Sequence, residues 1–144
     1  MNSKQKKILY IRFSYWLPAV LDALLAGDLI LYILFGTTIY LNYPVLTPIT
    51  QYLARQVIPL VIGWTILLIW GDQKPIERRI LLLLTALSLL LLGLFLDLVL
   101  LMLGNEVILL ETNIMTFIIQ TLLMILILIG YAISNNLSKQ RDGK

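Results

Sequence analysis

The sequence predicts an all-α membrane protein, a single bundle of four transmembrane helices with both termini on the cytoplasmic side. Two observations set the class. Of the 144 residues, 60% are hydrophobic and only 13% are charged, whereas a soluble domain has about 25% charged residues. Four apolar stretches are also as long as the roughly 20 helical residues that cross a bilayer. A soluble chain of this size buries only about two-thirds of its surface, so lipid is the expected surrounding.

The four predicted spans have boundaries that agree with helix chemistry. Thr47 and Pro48 are a typical N-cap and first helical residue. Gly71 and Gly104 follow the second and third spans, where glycine commonly ends a helix. The predicted spans are 14–41, 48–70, 76–103 and 112–133, and together they form one domain.

The orientation follows from the distribution of Lys and Arg. Of the eleven basic residues, Arg55 lies inside a span, and the other ten lie on the side of the predicted N-terminus. Because cytoplasmic segments carry the excess of basic residues, we expect an N-in/C-in topology. The first span is not expected to be a cleaved signal peptide, because it is too long and contains Asp22 and Asp28. The ten residues are Lys4, Lys6, Lys7, Arg12, Lys74, Arg78, Arg79, Lys139, Arg141 and Lys144.

The residue types that are absent exclude several functions. The chain contains no cysteine and no histidine. This removes disulfides, thiol chemistry, iron–sulfur ligation, histidine-bound haem or zinc, and the usual Ser–His and Cys–His nucleophile pairs. The basic residues form no continuous face, so a nucleic-acid partner is not expected. We therefore expect no enzyme activity, no cofactor and no metal.

Polar residues inside the spans are the first candidate site. Arg55, Asp97 and Gln120 each lie seven residues from the outer end of their predicted span, which puts them at one level, about 10 Å inside the boundary. Gln51 lies one turn above Arg55. We expect Arg55 and Asp97 to pair, with Gln120 and Gln51 completing the hydrogen bonds. Such a cluster joins helices or lines a ligand or ion pathway, and a lone arginine at this depth also reaches the surface by snorkelling.

Two aspartates in the first span are the candidate titratable or transport residues. Asp22 lies beside Ala19, Ala23 and Gly27, whose spacing is typical of closely packed membrane helices. Asp28 is about 120° away on the helical wheel, so we expect it to face lipid or a second subunit. The spans hold three aspartates and one basic residue. At least two aspartates are therefore expected to be neutral, hydrated or paired across an oligomer interface.

A family resemblance covers roughly residues 53–104. It is carried by Leu53-Ala54-Arg55 in the second span, by the short loop 70–79, and by Asp97 as the acidic residue of the third span. In these features the chain resembles small prokaryotic four-helix membrane proteins of the DoxX-like type. The resemblance implies a prokaryotic cytoplasmic membrane and no established activity or cofactor. In the loop, Arg78 and Arg79 are topology signals or contacts for anionic headgroups.

Two functional hypotheses follow. The first is a non-catalytic helix-bundle subunit that binds a membrane-protein partner or a second copy of itself within the lipid bilayer. The second is a proton-linked transporter of a small molecule or ion, in which Asp22 or Asp28 gains and loses a proton. An intramembrane enzyme would need one of the aspartates as general base, and no motif supports it.

Overall fold

The computed structural model of the chain describes residues 3–39, 47–102 and 114–142. All regular secondary structure within these ranges is helical. It consists of α1 (Ser3–Phe35), α2 (Pro48–Gln73), α3 (Ile80–Leu84), a π-helix (Thr85–Leu91), α4 (Leu92–Met102) and α5 (Ile114–Asp142).

Three of these helices are long and apolar enough to cross a membrane. They are α1, α2 and the stretch Phe117–Gln140 of α5. The predicted class, an all-helical chain with several membrane-spanning helices, is confirmed at this level. Within the predicted third span, α3, the π-helix and α4 follow one another without a break, and Ile80–Phe95 is a shorter apolar helical stretch.

The start of α2 confirms the predicted cap. Thr47 is the N-cap and Pro48 the first helical residue. The Thr50 backbone N–H donates to Thr47 Oγ1 at 3.2 Å, and the Thr47 backbone N–H donates to Thr50 Oγ1 at 2.8 Å. This reciprocal pair satisfies backbone donors that the first turn of a helix leaves without partners.

The end of α1 differs from the predicted span 14–41. The helix stops at Phe35, and Gly36 adopts a positive φ of 67°. This left-handed conformation is the usual way for glycine to end a helix. The Gly36 N–H donates to the Tyr32 carbonyl at 3.0 Å. The apolar run continues past Gly36, so hydropathy alone placed the end of the helix too late.

Four other helix ends also differ from the prediction. Helix α1 begins at Ser3 rather than at residue 14. Helix α2 continues through Gly71 to Gln73, and α3 begins at Ile80 rather than at residue 76. Helix α5 continues past residue 133 to Asp142, because α-helical geometry does not end where the apolar run ends. The predicted start at residue 112 and the predicted stop at Gly104 lie outside the described residues.

The π-helix begins at a buried threonine. Thr85 is 2% exposed, its Oγ1 donates to the Leu81 carbonyl at 2.7 Å, and it accepts from Trp64 Nε1 at 3.2 Å. A short stretch of π-helix inside a longer helix is a local irregularity. A pattern of apolar residues cannot predict it, because nearly every residue here is apolar.

The main core lies at one end of the bundle. It joins the first half of α1, the second half of α2, α3, the first turn of the π-helix and the second half of α5. We call this the loop end, because residues 74–79 connect α2 to α3 there. Its buried apolar members are Ile11, Tyr15, Ala19, Leu68, Leu82, Ala86, Ile127 and Leu137.

Two glycines let backbones approach at the loop end. A Cβ on Gly71 would collide with the Tyr15 ring, and a Cβ on Gly130 would collide with the Ser14 side chain. Towards the other end of α1 and α2, a smaller cluster consists of Leu29, Tyr32 and Ala54. Three other glycines have open surroundings, because a Cβ on Gly27, Gly63 or Gly93 meets nothing within 4 Å.

Candidate functional site

The strongest polar interaction at the loop end is centred on Asp72. Arg12 donates from Nε to Asp72 Oδ1 and from Nη2 to Oδ2, each at 2.9 Å. Trp16, one turn after Arg12, donates from Nε1 to Oδ2 at 3.1 Å. The Asp72 side chain is 7% exposed while that of Arg12 is 54% exposed. The bidentate geometry fixes α1 against the end of α2. We call Arg12, Trp16 and Asp72 the Asp72 cluster.

Arg78 and Tyr15 hold the connecting loop against the same two helices. The Arg78 guanidinium lies over the Trp70 ring, 3.4 Å from its centroid, an arrangement typical of a cation–π contact. Arg78 also donates from Nη1 to the Trp70 carbonyl. Tyr15, which is fully buried, donates from its hydroxyl to the Arg78 carbonyl at 2.8 Å.

The last turns of α5 are attached to the loop as well. Arg79 donates from Nη1 to the Ile76 carbonyl at 3.0 Å and to Ser138 Oγ at 3.1 Å. Ser134, which is fully buried, donates to the Pro75 carbonyl at 3.0 Å. The N-terminal part of α1, the loop 74–79 and the C-terminal part of α5 therefore lie at one end of the bundle.

The two loop arginines have specific roles within the chain. Arg78 donates to the Trp70 carbonyl, and Arg79 donates to the Ile76 carbonyl and to Ser138 Oγ. This gives both arginines a structural function at the loop end that neither predicted role, topology signal or headgroup contact, includes. These bonds hold the loop against α2 and α5.

The structure describes only part of the predicted Arg55 cluster. Arg55 is exposed and Gln51 is half-buried. Gln120 is half-buried, and its Oε1 is buried and accepts no hydrogen bond from the described residues. The Asp97 side chain lies outside the described residues, so the Arg55–Asp97 pair stays a prediction.

The two predicted titratable aspartates have different environments. Asp22 is half-buried and pairs with no described residue. Asp28 is 2% exposed, and its Oδ1 accepts the backbone N–H of Ile39 at 2.6 Å. The expectation that Asp28 faces lipid or a second subunit is wrong for this packing, because the chain turns at Gly36 and brings Ile39 back onto the carboxylate.

An open groove lies beside Asp28. Its volume is about 350 Å³. Of the predicted small-residue seam, Ala19 packs in the core, whereas Ala23 and Gly27 are exposed in this groove. We call it the Asp28 groove, and its lining residues are Ala23, Leu24, Gly27, Asp28, Ile30, Leu31 and Ile39.

Comparison with known proteins identifies no relative of the chain. No protein-family model matches the chain, and it matches neither a curated protein nor a solved structure.

The Asp72 cluster was missed by reasoning from the sequence. A signal was present. Arg12 and Trp16 are four residues apart and therefore share a helix face, and Asp72 is an acidic residue directly after the apolar run of the second span. Pairing them still required knowledge of how α1 lies against α2.

Proposed function

We propose that this chain is a non-catalytic membrane-protein subunit that binds a transmembrane helix of a partner in the Asp28 groove. The observation that carries the proposal is the open floor of that groove. Ala23 and Gly27 are exposed there, and a Cβ added to Gly27 meets nothing within 4 Å. A partner helix fits such a floor because small residues allow two backbones to approach closely.

The walls of the groove are apolar. Leu24, Ile30 and Ile39 line it and are exposed, so a partner helix would pack against them in place of lipid. Asp28 also lines the groove, but its carboxylate is buried and accepts the Ile39 N–H.

The proposal includes a topology of four crossings, N-in/C-in, in a prokaryotic cytoplasmic membrane, as in the DoxX-like proteins that the chain resembles. The gathering of Arg12, Arg78, Arg79 and Lys74 near the loop end supports it, because basic residues stay on the cytoplasmic side. The chain has no cysteine, so Lys74→Cys and Lys144→Cys give clean single labels. Labelling of the two from opposite sides of the membrane would contradict the topology.

Partner binding is tested by a substitution that fills the groove. Gly27→Ile places a branched side chain on the floor of the groove. We expect this variant, extracted from native membranes, to migrate in blue-native electrophoresis at the size of the free chain rather than at that of the complex. Gly63→Ile is the matched control, because Gly63 is an equally open glycine on α2. Loss of the complex in both variants, or in neither, would contradict the proposal.

The second candidate function is the proton-linked transporter. It is favoured by the position of Asp28, a buried carboxylate that borders an open groove. Asp28→Asn keeps an oxygen for the Ile39 N–H but removes the titratable group. Proton flux can be measured in liposomes that enclose a pH-sensitive dye. If the chain is a carrier, the wild type should show proton flux and Asp28→Asn should abolish it. Asp22→Asn is the comparison. No flux in the wild type would exclude this function.

A further inference from the structure

A second groove runs along the N-terminal part of α1, at the loop end and far from the Asp28 groove. Its volume is about 670 Å³. The lining residues recur at helical spacing, so they form one face of α1. They combine two basic side chains with apolar and aromatic ones. The residues are Lys6, Leu9, Tyr10, Arg12, Phe13 and Trp16, and we call this the Lys6 groove.

We propose that the Lys6 groove binds one anionic phospholipid, with the headgroup phosphate at Lys6 and Arg12 and the acyl chains along Phe13 and Trp16. The order of residues along the helix matches the order of parts in a lipid. Lys6 and Arg12 come before the exposed side chains of Phe13 and Trp16, which lie further towards the middle of the span.

Charge complementarity favours an anionic headgroup. No acidic residue precedes Asp22 in α1. Asp72, which is bonded to Arg12 and Trp16 of the groove, is buried. These bonds use Nε and Nη2 of Arg12, and the side chain of Arg12 is half-exposed. Lys6 is exposed, so the described lining of the groove carries two cations and no carboxylate.

The two loop arginines are bonded within the chain, which favours the N-terminal face of α1. Arg78 donates to the Trp70 carbonyl and lies over its ring, and Arg79 donates to Ile76 and Ser138. The headgroup contact expected for these loop arginines is therefore assigned to the N-terminal face of α1. A basic residue near an anionic membrane surface is worth roughly a fivefold change in binding.

The test uses the full-length chain purified in a neutral detergent. Native mass spectrometry counts bound phosphatidylglycerol and phosphatidylcholine of equal chain length, added at equal concentration. We expect the wild type to retain phosphatidylglycerol preferentially, and Lys6→Gln to reduce that preference about fivefold. Lys6→Arg should keep it. Lys139→Gln, the same change of charge at an exposed position on α5, should leave it unchanged.

A thermal-unfolding measurement in the same detergent gives a second readout. Phosphatidylglycerol should raise the Tm of the wild type and of Lys139→Gln more than that of Lys6→Gln. Equal retention of the two lipids by the wild type would overturn the proposal. Equal losses in Lys6→Gln and Lys139→Gln would also overturn it, since they would indicate diffuse attraction. Stabilisation by inorganic phosphate alone, equal to that by the lipid, would overturn the assignment to a lipid.

Discussion

The two ends of the bundle use glycine for opposite purposes. At the loop end, the Tyr15 ring packs against Gly71 and the Ser14 side chain packs against Gly130, so these glycines allow close contacts between helices. In the second half of α1, a Cβ added to Gly27 meets nothing within 4 Å. A glycine in a membrane helix therefore indicates close packing only when another element lies against it.

Charged side chains follow the same division. At the loop end, the side chains of Asp72, Arg78 and Arg79 each bond to another element of the chain and so stabilise the bundle. In the other half, Asp28 bonds to the chain directly after its own helix and borders an open groove. We infer that the loop end provides stability and that the open half provides binding.

The largest effect expected from this comparison is that of Gly130→Ala. The added Cβ overlaps the buried Ser14 side chain, and overpacking of this kind costs about 1–3 kcal/mol. The free energy of unfolding, measured by circular dichroism in mixed micelles, should fall accordingly.

Gly63→Ala is the control for that measurement. The gain in helix propensity is the same at both sites, so the difference between the two variants isolates the packing at Ser14. Equal stability of Gly130→Ala and Gly63→Ala would show that α1 and α5 do not approach as closely as we describe.

The next effect concerns the Asp72 cluster. Asp72→Ala removes the acceptor of three hydrogen bonds, and we expect a loss of about 1 kcal/mol in the free energy of unfolding. The loss is no larger because Arg12 is half-exposed and is hydrated once released.

The matched control is Lys74→Gln, which breaks an ion pair between two exposed side chains, Lys74 and Glu77, 3.3 Å apart. Exposed pairs contribute little, so stability should change by at most a few tenths of a kcal/mol. A larger loss in Lys74→Gln than in Asp72→Ala would reverse our ranking of the two ion pairs.

A loss of about the same size is expected for Tyr15→Phe. The variant keeps the buried ring but removes the hydroxyl that donates to the Arg78 carbonyl at 2.8 Å. One such bond contributes about 0.5–1.5 kcal/mol. Tyr10→Phe removes a longer bond of 3.4 Å, to the Leu126 carbonyl, and should lose less in the same unfolding assay. A larger loss in Tyr10→Phe than in Tyr15→Phe would show that the hydrogen bond from Tyr15 to the loop contributes little to stability.

The smallest effect is expected in the open half. Gly27→Ala adds a methyl group to free space, so the unfolding of the isolated chain should not become easier. Destabilisation similar to that of Gly130→Ala would mean that the Asp28 groove is filled by the chain itself. Binding of a partner there would then be excluded.

The amino-acid sequence by itself determined the features that depend on local chemistry. Hydropathy identified an all-helical, membrane-spanning chain, because each helix satisfies its own backbone hydrogen bonds in lipid. The start of α2 was also predictable, since its cap joins Thr47 and Thr50 within one turn. The end of α1 was missed because an apolar run does not distinguish helix from the left-handed turn at Gly36.

The tertiary structure decided which distant side chains meet. The pairing of Arg12 with Asp72 spans 60 residues, and it depends on the relative position of two helices that are apolar on most faces. The burial of Asp28 depends on a turn that brings Ile39 back to the helix, so a helical wheel alone could not predict it. Local hydrogen bonds and hydropathy are encoded in neighbouring residues, whereas these contacts exist only once the helices have packed.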